Sequence, residues 1–168
     1  KFNNKKSAQS HIKSMILSGA KIIDIGGEST RPGSQTIPDK IEWKRIKNVI
    51  KGFKKKYKKT CLSIDTRKSE VMLNSVKEGA DLINDVSGFN YEAHSLSKLK
   101  KYKVPKVLHH MKGTPNTMQN NPHYQNILLD IYDYFENGIK KIDSKKIILD
   151  PGIGFGKNLK HNLTLISK

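Results

Sequence analysis

The chain has 168 residues, a formal net charge of +17 and a pI of about 9.9. That is the length of one domain, enough for a real core but short of the ~250 residues of a complete (β/α)8 barrel. A single cysteine, Cys61, excludes an intrachain disulfide framework, and no apolar run is long enough to span a bilayer.

The basic charge invites a nucleic-acid or anionic-membrane reading, but its makeup argues against both. Arginine occurs only at Arg31, Arg45 and Arg67, and every other cation is a lysine. Arginine is the better bidentate reader of phosphates and bases. The lysines gather with asparagine in stretches such as 1–6 and 54–59, the pattern of solvated surface. The expectation is no nucleic-acid or membrane partner and a general attraction for anionic small molecules. The opening Lys-Phe-Asn-Asn-Lys-Lys does not read as a signal peptide, so the chain reads as soluble and cytoplasmic.

Ser7 can cap a first helix, with Ala8, Ile12, Met15 and Ile16 on one face and Gly19 as its stop. Lys21–Ile25 follows as a short apolar strand. Pro38 opens a second helix that turns Ile41, Ile46, Val49, Ile50 and Phe53 inward. Cys61–Asp65 is the next strand. Thr66 caps a third helix carrying Val71, Met72 and Val76 and ending near Gly79. Asp81–Val86 is a strand, Leu96 and Leu99 mark a weaker helix, and Val104–His109 is a strand. A helix over Tyr124–Ile142 carries Ile127, Leu128, Ile131, Phe135 and Ile139 at helical spacing. Lys146–Asp150 closes the series as a strand and loop. Runs rich in Ile, Val and Leu, bounded by turn residues, read as buried parallel strands.

Strand and helix in alternation specify a parallel α/β sheet. A doubly wound sheet and a TIM barrel share that pattern. Nearly every strand here ends on a polar residue: Asp24, Asp65, Asn84 with Asp85, His109 and Asp150. A doubly wound sheet gathers its ligand mainly at one switch point, whereas a barrel draws side chains from many strand ends. The pattern favours the barrel.

Five segments carry chemistry. In Asp24-Ile-Gly-Gly-Glu-Ser-Thr-Arg-Pro-Gly, a strand ends and a glycine turn presents Ser29, Thr30 and Arg31, with Pro32 shaping the loop. Hydroxyls and a guanidinium suit an anionic group, although an ordinary turn would look similar. In Ser63-Ile-Asp-Thr, Asp65 is either a ligand or a helix cap. In Ile83-Asn-Asp-Val-Ser-Gly, Asn84 and Val86 share one strand face and Asp85 takes the other. Asn84 offers donor and acceptor to a heterocycle edge, yet an Asn-Asp pair also makes turns. In His109-His-Met-Lys-Gly-Thr-Pro, adjacent histidines face opposite ways, which disfavours zinc. Asp150-Pro-Gly-Ile-Gly-Phe-Gly-Lys departs from the phosphate-loop spacing at Pro151 and Asn158, and Phe155 reads better as a wall for a ligand.

In this order the segments resemble the successive signatures of the dihydropteroate synthase family, over nearly the whole chain. The resemblance implies a TIM (β/α)8 barrel of which residues 1–168 form a partial domain, about strands 2 to 6. The earlier Asn-Val-Thr-Pro-Asp loop and the later Ser-Arg-Lys and Arg-x-His segments would lie outside it. It implies that a pterin is held by Asp65, Asn84 and Asp150, the two aspartates acting in catalysis, with Val86, Met111 and Phe155 nearby. It implies a mobile loop of Ser29, Thr30, Arg31 and Pro32 closing over 4-aminobenzoate, with Phe155 against its ring. The implied reaction joins a pterin diphosphate to 4-aminobenzoate and releases diphosphate, with Mg²⁺ bound outside this chain. Sulfonamides would compete for the 4-aminobenzoate site. The implied partners are those two substrates, a second copy in a homodimer of the complete protein, and another folate enzyme where the two are fused. A methyltetrahydrofolate methyltransferase is the rival barrel, but it has no need of the Ser-Thr-Arg-Pro-Gly loop.

Overall fold

The computed structural model describes residues 4–31, 34–142 and 146–168. The elements run α1 (Lys5–Leu17), β1 (Ile22–Gly26), α2 (Asp39–Ile50), α3 (Phe53–Lys56), β2 (Cys61–Asp65), α4 (Ser69–Lys77), β3 (Leu82–Asp85), α5 (Ser95–Leu99), β4 (Lys106–His109), α6 (Ile127–Lys141), β5 (Ile147–Asp150) and α7 (Leu159–Ser167). All five strands are parallel and pair in chain order, β1-β2-β3-β4-β5. A doubly wound sheet reverses its order at the switch point, and this sheet does not. Right-handed crossovers that always step the same way place the helices on one face. The sheet is therefore an arc of barrel-type α/β structure, as the polar strand ends suggested.

Alternation along each strand gives the sheet two unlike faces. Ile23, Leu62, Ile64, Ile83 and Leu108 meet Ile46, Ile50, Val71, Met72 and Leu99 of the helices in one core. Each such side chain contributes about 1.5–3 kcal/mol when fully buried. The opposite face carries Asp24, Ser63, Asp65, Asn84, Val107, His109 and Asp150. One face is paid over to packing, and the other is left for polar work.

The helices depart from expectation in places. Asn4, not Ser7, caps α1, its side chain accepting from Ser7 N at 2.8 Å. Lys68 stands at the N-cap of α4, while Thr66 Oγ1 accepts from Lys68 N at 3.2 Å. Phe53 is buried but belongs to the separate α3, which follows Gly52 at φ 76°. Ile41, Leu128 and Ile139 face outward rather than into the core. Apolar spacing shows which residues share a stripe, not whether another element covers it. The helix α6 starts at Ile127, because Asn126 accepts from Leu128 N and Leu129 N. The helix α7 was not expected at all. Asn158 caps it and His161 completes the capping box, where the usual sequence signal is Glu or Gln.

Surface lysines such as Lys55, Lys56, Lys58 and Lys59 are exposed. Lys68, Lys106 and Lys157 are buried, and two of these enter the site below.

The edges of the sheet are β1 and β5. Ile148 and Leu149 of β5 are about half exposed, and Leu159, Leu163 and Ile166 of α7 are 58–73% exposed. Unpaired edges with apolar side chains template aggregation, and domains are stable by only ~5–15 kcal/mol. Residues 1–168 expressed alone are expected to bind 8-anilinonaphthalene-sulfonate, to unfold over a broad denaturant range and to show no turnover. A single sharp transition without dye binding would show that the arc stands by itself.

Candidate active site

The C-terminal ends of the strands form a rim and place Asp65, Asn84, His109 and Asp150 on one face of the sheet. Asp65 and Asn84 are register partners on β2 and β3, and Gly26 lies opposite Asp65 on β1. Asn84 Nδ2 donates to Asp24 Oδ2 at 3.3 Å, so Asp24 joins the group. Asp65 Oδ1 and Asn84 Oδ1 are buried without a hydrogen-bond partner. A buried acceptor left so costs about 1–3 kcal/mol. Burial, then the charges of Asp24, Asp85 and Glu42, push the Asp65 carboxyl up to about 7, against the pull of Arg67.

Asp85 faces the helix side and is fully buried. Its carboxylate accepts from Ser87 N, Ser87 Oγ and Phe89 N at 2.7–3.1 Å. Burial raises it to about 6, with the Ser87 and Phe89 bonds opposing. Of the Asn-Asp pair, Asp85 therefore makes the turn and Asn84 faces the rim.

His109 and Asp150 are register partners on β4 and β5. His109 Nδ1 donates to the Val86 carbonyl at 2.9 Å, and burial lowers the imidazole's pKa. The ring meets Phe155 edge-on, with centroids 4.7 Å apart. Val86 is buried, and Met111 half-buried, beside this group in the chain. Asp150 Oδ1 accepts from Gly152 N at 2.8 Å. Gly152 has φ 67°, and a Cβ there would lie 2.0 Å from the His110 carbonyl. Only glycine fits a backbone that turns this way at such close range.

The glycine-rich turn is held through its carbonyls. Lys157 Nζ donates to Gly152 O and Phe155 O, both at 2.9 Å, and to His110 Nδ1 at 3.0 Å. Gln119 Nε2 donates to Gly154 O at 2.6 Å, and Tyr124 OH to Gly156 O at 2.8 Å. Burial lowers Lys157 to about 8, while Asp150 opposes that. Burial, then the Lys157 charge, lowers His110 to about 4, so His110 is a neutral acceptor.

On the β1 side, Ser29 and Arg31 are exposed and Thr30 is half-buried. Ser34 Oγ donates to Ser29 O at 2.6 Å, and Ser34 N to Arg31 O at 3.1 Å. Pro32 lies outside the described residues. Among the described residues, no three His, Cys, Asp or Glu side chains are placed together to hold a metal ion.

A rim of this kind, on this strand order, has known counterparts. All of residues 1–168 match the family model described as pterin binding enzyme. The chain belongs to that family. Dihydropteroate synthase of Escherichia coli strain K12 is 38% identical over 171 residues, covering 99% of this chain and 60% of that protein. The crystal structure of the Yersinia pestis dihydropteroate synthase with a sulfonamide drug complex superposes with a TM-score of 0.93 at 38% identity, covering 98% of this chain and 61% of the other. The Xanthomonas albilineans dihydropteroate synthase with 4-aminobenzoic acid gives a TM-score of 0.85 at 34% identity, with 96% and 58% covered. The chain thus spans about 60% of the length of these relatives.

Within this member of the pterin-binding family, sequence reasoning missed Lys157 and Glu28. The Lys after a glycine-rich run was a visible signal for the first. Nothing in the sequence pairs Glu28 with Arg67 and Lys68, which lie 39 and 40 residues away. Among the described residues, no helix is long and apolar enough to cross a membrane.

Proposed function

We propose that the complete protein is a dihydropteroate synthase. The observation that carries this reading is the pair of buried, unpartnered acceptors, Asp65 Oδ1 and Asn84 Oδ1, side by side on adjacent strands. A 2-amino-4-oxo pterin presents adjacent N–H donors on one edge. A carboxylate accepts two such donors at once, and its charge strengthens both bonds. Asp150, across the rim, is the second carboxylate. Phe155 and His109 form the wall, with Val86 and Met111 beside them. Ser29, Thr30, Arg31 and Pro32 take the carboxylate-bearing second substrate, 4-aminobenzoate, with Phe155 against its ring.

In the reaction the C–O bond at the pterin methylene breaks and diphosphate leaves with the electron pair. The amine nitrogen of 4-aminobenzoate forms the new C–N bond and releases a proton. Positive charge grows on the pterin as the leaving group departs. The fixed carboxylates of Asp65 and Asp150 stabilise it most in the transition state, which is where stabilisation raises the rate. Mg²⁺ belongs to this reading as the partner of diphosphate. No step here depends on it. A cytoplasmic location also belongs to the reading, in keeping with the lone Cys61.

The test is direct. The full-length protein is incubated with the pterin diphosphate, 4-aminobenzoate and Mg²⁺. Dihydropteroate and diphosphate are expected to appear in equal amounts. Neither product appearing, from folded protein, would sink the proposal.

A further inference from the structure

We propose that Glu28 is a positioning residue, held by Arg67 and Lys68, that fixes Ser29, Thr30 and Arg31 against the Asp65 rim and so sets affinity for the second substrate without touching it. The proposal rests on the functional reading above and names the part of the fold that places its second subsite.

Glu28 closes the neck of the segment that follows β1. Its Oε2 accepts from Ile37 N at 2.8 Å, tying one end of that segment to the other. Its Oε1 accepts from Arg67 Nη2 at 2.6 Å, and Oε2 also accepts from Lys68 Nζ at 2.6 Å. Lys68 Nζ donates further to Glu42 Oε2 of α2 at 2.6 Å. All four side chains are at least nine-tenths buried, with 1–7% exposed. Two carboxylates and two cations balance to zero, so the group suits a buried setting, and removing one member leaves an uncompensated charge.

Neither end of this network is free to drift. Arg67 and Lys68 follow Asp65 by two and three residues. Thr66 N, between them, donates to Asn84 O at 3.0 Å. Arg67 also lies over the Tyr91 ring at 4.4 Å. On the other side, a Cβ on Gly27 would lie 2.8 Å from Glu42 Cγ and from Glu42 O, so the chain entering Glu28 rests directly on α2. Arg45 Nη1 holds Gly27 O at 2.9 Å. Glu28, the residue before Ser29, is thereby tied on one side to α2 and on the other to the residues that follow Asp65.

Glu28→Gln in the full-length protein keeps the side chain's size and an acceptor for Ile37 N, but it cannot pair with both cations. KM for 4-aminobenzoate is expected to rise about tenfold or more, the scale on which small misplacements act. KM for the pterin diphosphate should stay within about twofold. Lys68→Met should give the same split, and Lys68→Arg, which keeps both carboxylate contacts, should restore wild-type values. Amide hydrogen exchange supplies a readout independent of turnover. Glu28→Gln should speed exchange at residues 29–31 and Ile37 and leave Ile64 and Asp65 unchanged. Equal increases in both KM values, or exchange unchanged at residues 29–31, would overturn the proposal. Wild-type protein that makes no dihydropteroate would instead remove the functional reading, and the exchange comparison would still decide the role of Glu28.

Discussion

Asp65→Ala in the full-length protein should weaken binding of a pterin ligand about 10- to 100-fold, the 1.5–3 kcal/mol carried by hydrogen bonds to a charged group. Binding of 4-aminobenzoate should change far less. Asp150→Ala should also cost pterin affinity, but it is the less clean experiment. Asp150 Oδ1 accepts from Gly152 N, so its removal disturbs the glycine-rich turn as well. Asp65 Oδ1 has no such partner to lose. The carboxyl of free Asp65, raised to about 7 by burial and neighbouring acids, adds a pH signature. Two N–H donors favour the ionised form, so binding below pH 7 must first expel a proton. Affinity should therefore fall as pH drops below about 7, approaching tenfold per pH unit, and Asp65→Ala should abolish the slope. Calorimetry across pH 5.5–8.5, on the order of the window where one carboxyl of this kind titrates, checks both. Wild-type affinity in the variant would refute the assignment.

Lys157→Met should lower the stability of the full-length protein by about 3 kcal/mol, since it strands buried acceptors that cost about 1–3 kcal/mol each. The acceptors are Gly152 O, Phe155 O and His110 Nδ1. Methionine fills much of the same volume, so a packing loss cannot account for such a change. The urea midpoint measures it, and an unchanged midpoint would mean that the three contacts carry no net energy. Pterin affinity should fall with it, because Lys157 fixes the backbone that carries Phe155 and pins Asp150 through Gly152.

Much of the placement of the candidate residues could be read before the fold was known. Nearly every strand closes an Ile-, Leu- or Val-rich run with a polar residue, and the two-residue period puts Asp65, Asn84, His109 and Asp150 opposite the core-facing aliphatic side chains. That logic is local, so it survives into three dimensions. The Asn-Asp pair of residues 84 and 85 was ambiguous for the same reason: both a turn and a ligand use such a pair, and only burial separates their roles. Glu28 was invisible because its partners depend on the register of β1 with β2. Lys157 carried a signal, a lysine directly after a glycine-rich run, but its buried contacts depend on how that turn folds back onto His110. The exposed faces of Ile41, Leu128 and Ile139 show the same limit, since periodicity says nothing about what lies opposite.

Pairing in chain order has a cost that differs along the sheet. Closing a flexible connection costs entropy that grows with the logarithm of its length. The crossovers from β2 to β3 and from β3 to β4 are short, Asp65 to Leu82 and Asp85 to Lys106. Those from β1 to β2 and from β4 to β5 are longer, Gly26 to Cys61 and His109 to Ile147. The middle three strands are thus the cheapest part of the sheet to assemble. The two outer crossovers bear the greater ordering entropy, and they are the ones that carry Glu28 with the segment it anchors and Gln119 with Tyr124. The segment that follows Glu28 and two of the side chains that hold the glycine-rich turn thus lie on the stretches of chain that lose most freedom when the molecule forms.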